Sequence, residues 1–150
     1  MNQTHEVYLK RCIALSEQAA AQGNHPFGAL LVREGEVVME AMNTVNSEHD
    51  VTRHAELNLV SRAMQELGED VLRECTLYTS TEPCAMCSGA IYWAGVPRVV
   101  YACSADRLGE IAGGSLVIPC RDVFVRGIRP VEVSGPILEE EAAAVHARFW

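Results

Sequence analysis

The hydrophobic and polar positions of this chain follow two periods, the 3.6-residue period of helices and the two-residue period of strands. The first stripe of small and apolar positions has helical spacing and consists of Leu9, Cys12, Ile13, Ser16 and Ala20. It predicts a helix over 4–21 that ends before Gly23. Two strands are predicted over 29–33 and 36–43, because Glu34-Gly35 between them suits a two-residue hairpin turn.

The rest of the chain alternates between helical and strand patterns. A polar loop precedes a second helix, whose apolar stripe is Leu57, Val60, Met64 and Leu67. The remaining predicted elements are helices over 54–67, 83–94 and 138–150, strands over 76–79, 98–102 and 131–133, and a loop over 44–52. The segment 104–129 is the least readable part of the chain, and its pattern predicts no element. Pro83 is expected in the first turn of its helix. Alternating helices and strands favour parallel pairing. We therefore expect one α/β domain over 1–150, a three-layer α/β/α sandwich with a mixed sheet of about five strands.

Composition supports a globular protein. The chain has 150 residues, of which 49% are hydrophobic and 21% charged, so one domain can bury a core. No apolar run reaches the roughly 20 residues that span a bilayer, and no signal segment is recognisable at the amino end, so we expect a cytoplasmic protein without membrane contact. Disulfides are therefore not expected, and Cys12, Cys75 and Cys103, which have apolar neighbours, are interpreted as buried free thiols.

The net charge indicates which kind of substrate or partner the protein can bind. The formal charge is −8 and Lys10 is the only lysine, which argues against a strong, sequence-independent grip on nucleic acid. Eleven arginines remain, so a local basic patch is still possible. A small-molecule substrate is the expectation.

Three potential zinc ligands stand at predicted helix starts. His54 opens one helix, while Cys84 and Cys87 lie three apart on one face at the start of the next. A helix N-terminus favours the thiolate, the form of cysteine that binds metal. The other histidines have no recognisable ligand spacing, so a fourth protein ligand is not expected. The sequence predicts one Zn²⁺ per chain with an open position for a water, whose pKa zinc lowers to about 7.

Glu56 lies two residues after His54 and therefore points from a different face of a regular helix. We predict that His54 caps the helix as a metal ligand and that Glu56 reaches the water rather than the metal. A carboxylate there can take a proton from water and pass it to a ring nitrogen and to a leaving amine. That chemistry is hydrolytic deamination, and H-x-E…P-C-x-x-C is the known signature of zinc nucleobase deaminases.

With these motifs, the chain resembles the cytidine deaminase-like superfamily of zinc deaminases from His25 to about Gly114. Residues 25–29 (HPFGA) and 81–94 (TEPCAMCSGAIYWA) look most like bacterial guanine deaminases. Other segments are more similar to tRNA adenosine deaminases, namely residues 113–116 (GGSL), 131–133 (VEV) and 137–141 (ILEEE).

The resemblance implies several contacts to the substrate. Phe27 would wall the base pocket, Asn43 would hold the edge of the base, and the backbone amide of Ala55 would contact the ring. Trp93 corresponds to the family's tryptophan after the Ile-Tyr pair of the zinc-binding helix, and it is a further candidate for contact with the substrate. Each has a structural alternative, because Phe27 can be core, Asn43 can simply end a strand, and Trp93 can pack in the core or in a dimer.

The last part of the chain adds candidates of its own. Asp106 and Glu110 follow the end of a strand, where they can recognise exocyclic groups of the substrate by hydrogen bonding. The alternative is that both are simply solvated at the surface. The chain ends in Phe149-Trp150. In related deaminases the C-terminal segment often closes the pocket, so Trp150 is a candidate lid over the substrate, with ordinary packing as the alternative.

The main hypothesis is a zinc-dependent hydrolytic deaminase that acts on a free nucleobase or a related small heterocycle, guanine first. The resemblance implies a homodimer. The alternatives are a tRNA-specific adenosine deaminase and a deaminase of cytosine or of a nucleoside. A CxxC pair also occurs in structural zinc half-sites and redox pairs, so the non-enzymatic alternative is a zinc-stabilised binding module.

Overall fold

The computed structural model describes residues 2–150 and contains a five-stranded sheet. The strands are β1 Gly28–Arg33, β2 Glu36–Met42, β3 Thr76–Thr81, β4 Arg98–Cys103 and β5 Glu132–Ser134. Their spatial order is β2-β1-β3-β4-β5. Strand β1 is antiparallel to both of its neighbours, whereas β3, β4 and β5 run parallel to one another.

Helices connect and cover these strands. They are α1 Asn2–Ala21, α2 Val45–Glu48, α3 Ala55–Glu66, α4 Glu69–Leu72, α5 Ala85–Ala94, α6 Ala105–Ala112, α7 Cys120–Phe124 and α8 Glu139–Phe149. One sequence prediction is wrong, because the segment 44–52, predicted as a loop, contains α2. The segment 104–129, for which the pattern predicted no element, contains α6 and α7. Both α2 and α7 are too short for an apolar stripe to reveal their period.

The two faces of the sheet carry separate apolar cores. Leu31 packs on one side with Leu59 of α3 and Ile91 of α5. Leu30 points to the opposite side, where it packs with Leu9 of α1 and with α8. Successive side chains of a strand point to opposite faces, so one strand serves both cores. The predicted three-layer α/β/α sandwich with a mixed sheet is confirmed.

The turn between β1 and β2 confirms the predicted hairpin. Glu34 and Gly35 have φ angles of 52° and 80°. Two positive φ angles define the type I′ turn, whose twist matches that of the flanking strands. The turn thereby fixes the pairing of Arg33 with Glu36 at the end of the hairpin.

Helix α5 begins later than predicted. Cys84 has an extended backbone (φ −70°, ψ 175°) and occupies the N-cap, so Pro83 precedes the helix instead of standing in its first turn. The first hydrogen bond of the helix runs from the Ser88 N–H to the Cys84 carbonyl, at 2.8 Å. Strand β3 extends further than predicted, because Thr81 still pairs with Cys103. Among the helices of residues 2–150, none has the length and apolar character that a membrane crossing requires.

Glu82 joins the end of β3 to the two helices that the sequence pattern did not reveal. Its side chain is 8% exposed. The Ala105 N–H donates to Oε1 at 2.9 Å, and the Cys120 N–H donates to Oε2 at 2.7 Å. One carboxylate therefore satisfies the starts of both α6 and α7, which would otherwise leave backbone donors without acceptors.

Replacing Glu82 with glutamine should lower the free energy of unfolding by about 2 kcal/mol, since the amide turns an NH₂ donor toward a backbone N–H. Urea unfolding of the zinc-loaded protein measures this. The control is Glu110→Gln, an exposed glutamate of α6, which should change stability by no more than about 0.5 kcal/mol. Equal losses in the two variants would contradict the role assigned to Glu82.

Candidate metal centre and active site

The three predicted metal ligands meet where α3 and α5 begin. His54 is the N-cap of α3, Cys84 is the N-cap of α5, and Cys87 lies in the first turn of α5. Their donor atoms all lie within 4.8 Å of one another, and Cys84 Sγ is 3.5 Å from His54 Nδ1. One imidazole nitrogen and two cysteine sulfurs are a donor set that zinc prefers. The predicted zinc site is confirmed, because these residues are positioned to form it.

The electrostatics of this cluster favour metal binding. A hydrogen bond from the Cys87 thiol, together with the contact to His54, lowers the pKa of Cys84 to about 4. Donating that hydrogen bond, together with burial, raises the pKa of Cys87. Cys84 is therefore the thiolate before any metal binds. Both helix starts direct their positive dipole ends toward the sulfurs, which adds to this stabilisation.

Glu56 lies in the first turn of α3 and is 4% exposed. Burial, followed by the nearby negative charge of Cys84, raises the pKa of its carboxyl to about 7. In residues 2–150 the cluster of potential metal ligands does not include Glu56. The carboxyl is thus beside the metal ligands without being one of them, and it can exchange a proton near neutral pH.

Asn43 and Phe27 occupy neighbouring loops at the same edge of the sheet. Asn43 is buried just after β2, where its N–H donates to the Phe27 carbonyl at 3.1 Å and its Oδ1 accepts from the Val45 N–H at 3.0 Å. These contacts end the strand and start α2. Ala55 is buried at the first position of α3, where a backbone N–H has no acceptor within the helix. Its amide is therefore a donor near the metal ligands.

The C-terminal aromatic residue packs over the loop before β1. Trp150 is 49% exposed, and its ring centroid is 5.4 Å from that of His25. This loop lies near the metal ligands, because the Asn43 N–H donates to the Phe27 carbonyl and the Thr44 N–H donates to the carbonyl of Arg53, the residue before His54. The structure therefore brings Trp150 and Phe27 to the rim of the site.

Two candidates are exposed, and no hydrogen bond or ring contact within residues 2–150 joins either of them to the metal ligands. Trp93 is 83% exposed on the outer side of α5, six residues and about 120° of helical rotation away from Cys87. Asp106 is exposed in the first turn of α6. The geometry of this chain gives no support to a substrate contact by either side chain.

Sequence reasoning missed His146, which is buried at the rim of the same site. Its ring centroid is 5.2 Å from that of Phe27, and its Nε2 is 2.7 Å from Thr81 Oγ1. No ligand spacing or motif marks this histidine, and its contacts with Thr81 and Phe27 join residues 65 or more positions apart along the chain. Its position in the buried stripe of α8 was the only available signal.

Comparison with known proteins agrees with this geometry. A family model described as the cytidine and deoxycytidylate deaminase zinc-binding region matches residues 2–103. The chain belongs to this family. With the zinc site in place, it is a zinc-dependent hydrolytic deaminase, as the sequence predicted.

Individual relatives differ in the substrate that their names give. A probable cytosine deaminase of Schizosaccharomyces pombe is 43% identical over 149 residues, which cover 95% of this chain and 90% of the relative. A guanine deaminase of Bacillus subtilis is 44% identical over 107 residues, which cover 71% of this chain and 69% of the relative. The solved structure of a guanine deaminase from Nitrosomonas europaea is 26% identical with a TM-score of 0.82, covering 96% of this chain and 83% of the other.

The cysteine ligands should control the metal content. Metal analysis of the purified protein should find about one zinc per chain, and Cys87→Ser should lose most of it, because a hydroxyl is a much poorer zinc ligand than a thiolate. The matched control is Cys75→Ser, a buried cysteine just before β3 at the opposite edge of the sheet. Equal zinc in the two variants would show that the predicted cluster does not hold the metal.

Proposed function

We propose that this protein hydrolyses the exocyclic amine of a free nucleobase, with guanine as the first candidate, and releases ammonia. The observation that carries the proposal is the buried Glu56 carboxyl beside the three metal ligands. When bound, zinc supplies a Lewis acid that makes a water molecule acidic enough to attack a ring carbon near neutral pH.

Glu56 moves the protons of this reaction. Its carboxylate takes a proton from the attacking water and delivers it to the ring nitrogen next to the attacked carbon. The same carboxyl then transfers the remaining proton of the added hydroxyl to the amine, and the carbon–nitrogen bond breaks as the carbonyl forms, which releases ammonia. A carboxyl whose pKa burial raises to about 7 suits both directions of transfer.

The chain also supplies groups to hold and enclose the ring. The polar groups proposed to hold the base are the Ala55 N–H, next to the metal ligand His54, and the buried side chain of Asn43. Phe27 and Trp150 are aromatic surfaces on which a flat base can stack. Closing the rim with aromatic rings excludes water from the reaction.

Guanine is favoured by the two guanine deaminases among the reported relatives and by the HPFGA and TEPCAMC motifs. One observation favours cytosine as a second candidate. The relative named a probable cytosine deaminase matches 95% of this chain, whereas the Bacillus guanine deaminase matches 71%.

The charge pattern argues against tRNA as the substrate. Seven of the eleven arginines form ion pairs with acidic side chains, including Arg53 with Asp50 and Arg107 with Glu140. Paired arginines offer little attraction to phosphates, and the formal net charge is −8. A neutral base does not need a basic surface.

Ammonia release from a panel of substrates tests the proposal. The panel contains guanine, cytosine, adenine, their nucleosides and tRNA, and each is measured with the wild type and with Glu56→Gln. We expect turnover of a free base by the wild type and a loss of at least about 100-fold in the variant, which should retain its zinc. Activity on tRNA alone would overturn the free-base assignment. Full activity of Glu56→Gln would overturn the proton-transfer role, and an inactive wild type would favour a binding module.

We also infer a homodimer, supported by an apolar groove on the outer face of α3 and α5. The groove has a volume of about 310 Å³ and is lined by Leu57, Val60, Ser61, Met64, Ala90, Trp93 and Ala94. A tryptophan that is 83% exposed at the edge of an apolar groove is typical of a protein interface. A second copy, bringing the same surface, would cover it in a two-fold contact.

Replacing Trp93 with glutamate should therefore give a monomer, because the contact would bury an unpaired charge. Light scattering after size exclusion measures the mass. Val125→Glu, at an exposed apolar residue after α7, is the matched control and should remain dimeric. A monomeric wild type, or equal dissociation of both variants, would rule out this interface.

Two further inferences concern the whole chain. We infer one deaminase-like domain, supported by a single sheet that both helical layers cover. Limited proteolysis that yields a stable internal fragment would contradict it.

We infer a cytoplasmic location, supported by six cysteines that form no disulfide with one another. Fractionation of the source cells, with the protein recovered outside the cytoplasm, would contradict that location.

A further inference from the structure

His146 contacts the C-terminal residue of the chain. It lies on the inner side of α8 and is 1% exposed. The indole Nε1–H of Trp150, one turn later, donates to Nδ1 of His146 at 3.1 Å. Trp150 also stacks against Phe149 and His25, but neither of those contacts involves its polar atom.

The second nitrogen of His146 anchors the ring to the sheet. An indole N–H can only donate, so Nδ1 of His146 is the acceptor and the proton of the neutral ring is on Nε2. That N–H then donates to Thr81 Oγ1, 2.7 Å away. Burial lowers the pKa of His146 to about 4, which keeps the ring neutral under ordinary conditions. Both nitrogens are thus committed to structural partners.

A third contact joins the ring to the proposed base pocket. The Phe27 ring packs on His146 with a centroid separation of 5.2 Å and an interplanar angle of 54°. Thr81 is the last residue of β3, three positions before the metal ligand Cys84. One imidazole therefore connects an aromatic wall, the strand that leads to the metal site, and the C-terminal tryptophan.

We infer that His146 is a positioning residue for the deamination, holding Trp150 and Phe27 as aromatic walls of the base pocket. Trp150 is 49% exposed, and the hydrogen bond to His146 gives its ring one defined orientation. The inference rests on the proposed function, because the walls matter only if a base binds against them.

The first test observes the hydrogen bond itself. The chain has two tryptophans, so protein labelled with ¹⁵N-tryptophan gives two indole signals, and Trp150→Phe identifies the one that belongs to Trp150. In His146→Leu we expect the Trp150 signal to lose its protection from water exchange and to move toward the Trp93 signal. An unchanged signal would overturn the inference.

The second test measures kinetics on whichever base of the panel is turned over. His146→Leu should raise KM about tenfold with a smaller change in kcat, the effect of losing hydrogen-bonded positioning rather than chemistry. Trp150→Phe should behave similarly. The double variant should be no worse than the poorer single variant, because both remove the same contact.

Control variants separate positioning from mere stability. Val145→Ala removes a buried group of α8 that faces the opposite core from the site, and it should lower the melting temperature while leaving KM within about twofold. His146→Asn, which keeps an acceptor for the indole, should recover part of the KM. An active wild type with an unchanged KM in His146→Leu, or a KM rise of the same size in Val145→Ala, overturns the positioning role alone. A wild type that deaminates nothing overturns this inference together with the proposed function.

Discussion

The direction of β1 is the constraint on which the active site depends. Because β1 is antiparallel to both β2 and β3, its amino end lies at the same edge of the sheet as the carboxyl ends of its two neighbours. The loops that carry Phe27, Asn43 and Cys84 therefore meet at one edge. Helices α3 and α5 both begin there, with their positive dipole ends directed at the metal cluster.

Much of this site could be predicted from the sequence because its chemistry is local. Cys84 and Cys87 share a helical turn, so their spacing alone places both sulfurs on one side. His54 and Glu56 likewise share the start of α3, and the angle between successive helical positions separates ligand from acid. The hairpin turn at Glu34-Gly35 is local in the same sense.

The parts that sequence reasoning missed depend on partners far along the chain. Glu82 accepts from backbone groups 23 and 38 residues later, and no periodic pattern records such a contact. His146 finds Thr81 across 65 residues. Trp93 follows a recognised motif, but its exposure is decided by how α5 packs on the sheet, which the motif does not record.

The residues that carry out the reaction are positioned by local contacts, whereas the residues proposed to select the substrate are positioned by distant ones. The family model matches residues 2–103, which include the zinc ligands and Glu56 but exclude all of α8. The proposed aromatic lid belongs to α8, and its orientation depends on a histidine of the same helix. If Trp150 encloses the base as proposed, a change in α8 would reshape the base pocket without disturbing the groups that move protons. The names of the relatives, a probable cytosine deaminase and a guanine deaminase, agree with a substrate choice that varies while deamination is kept.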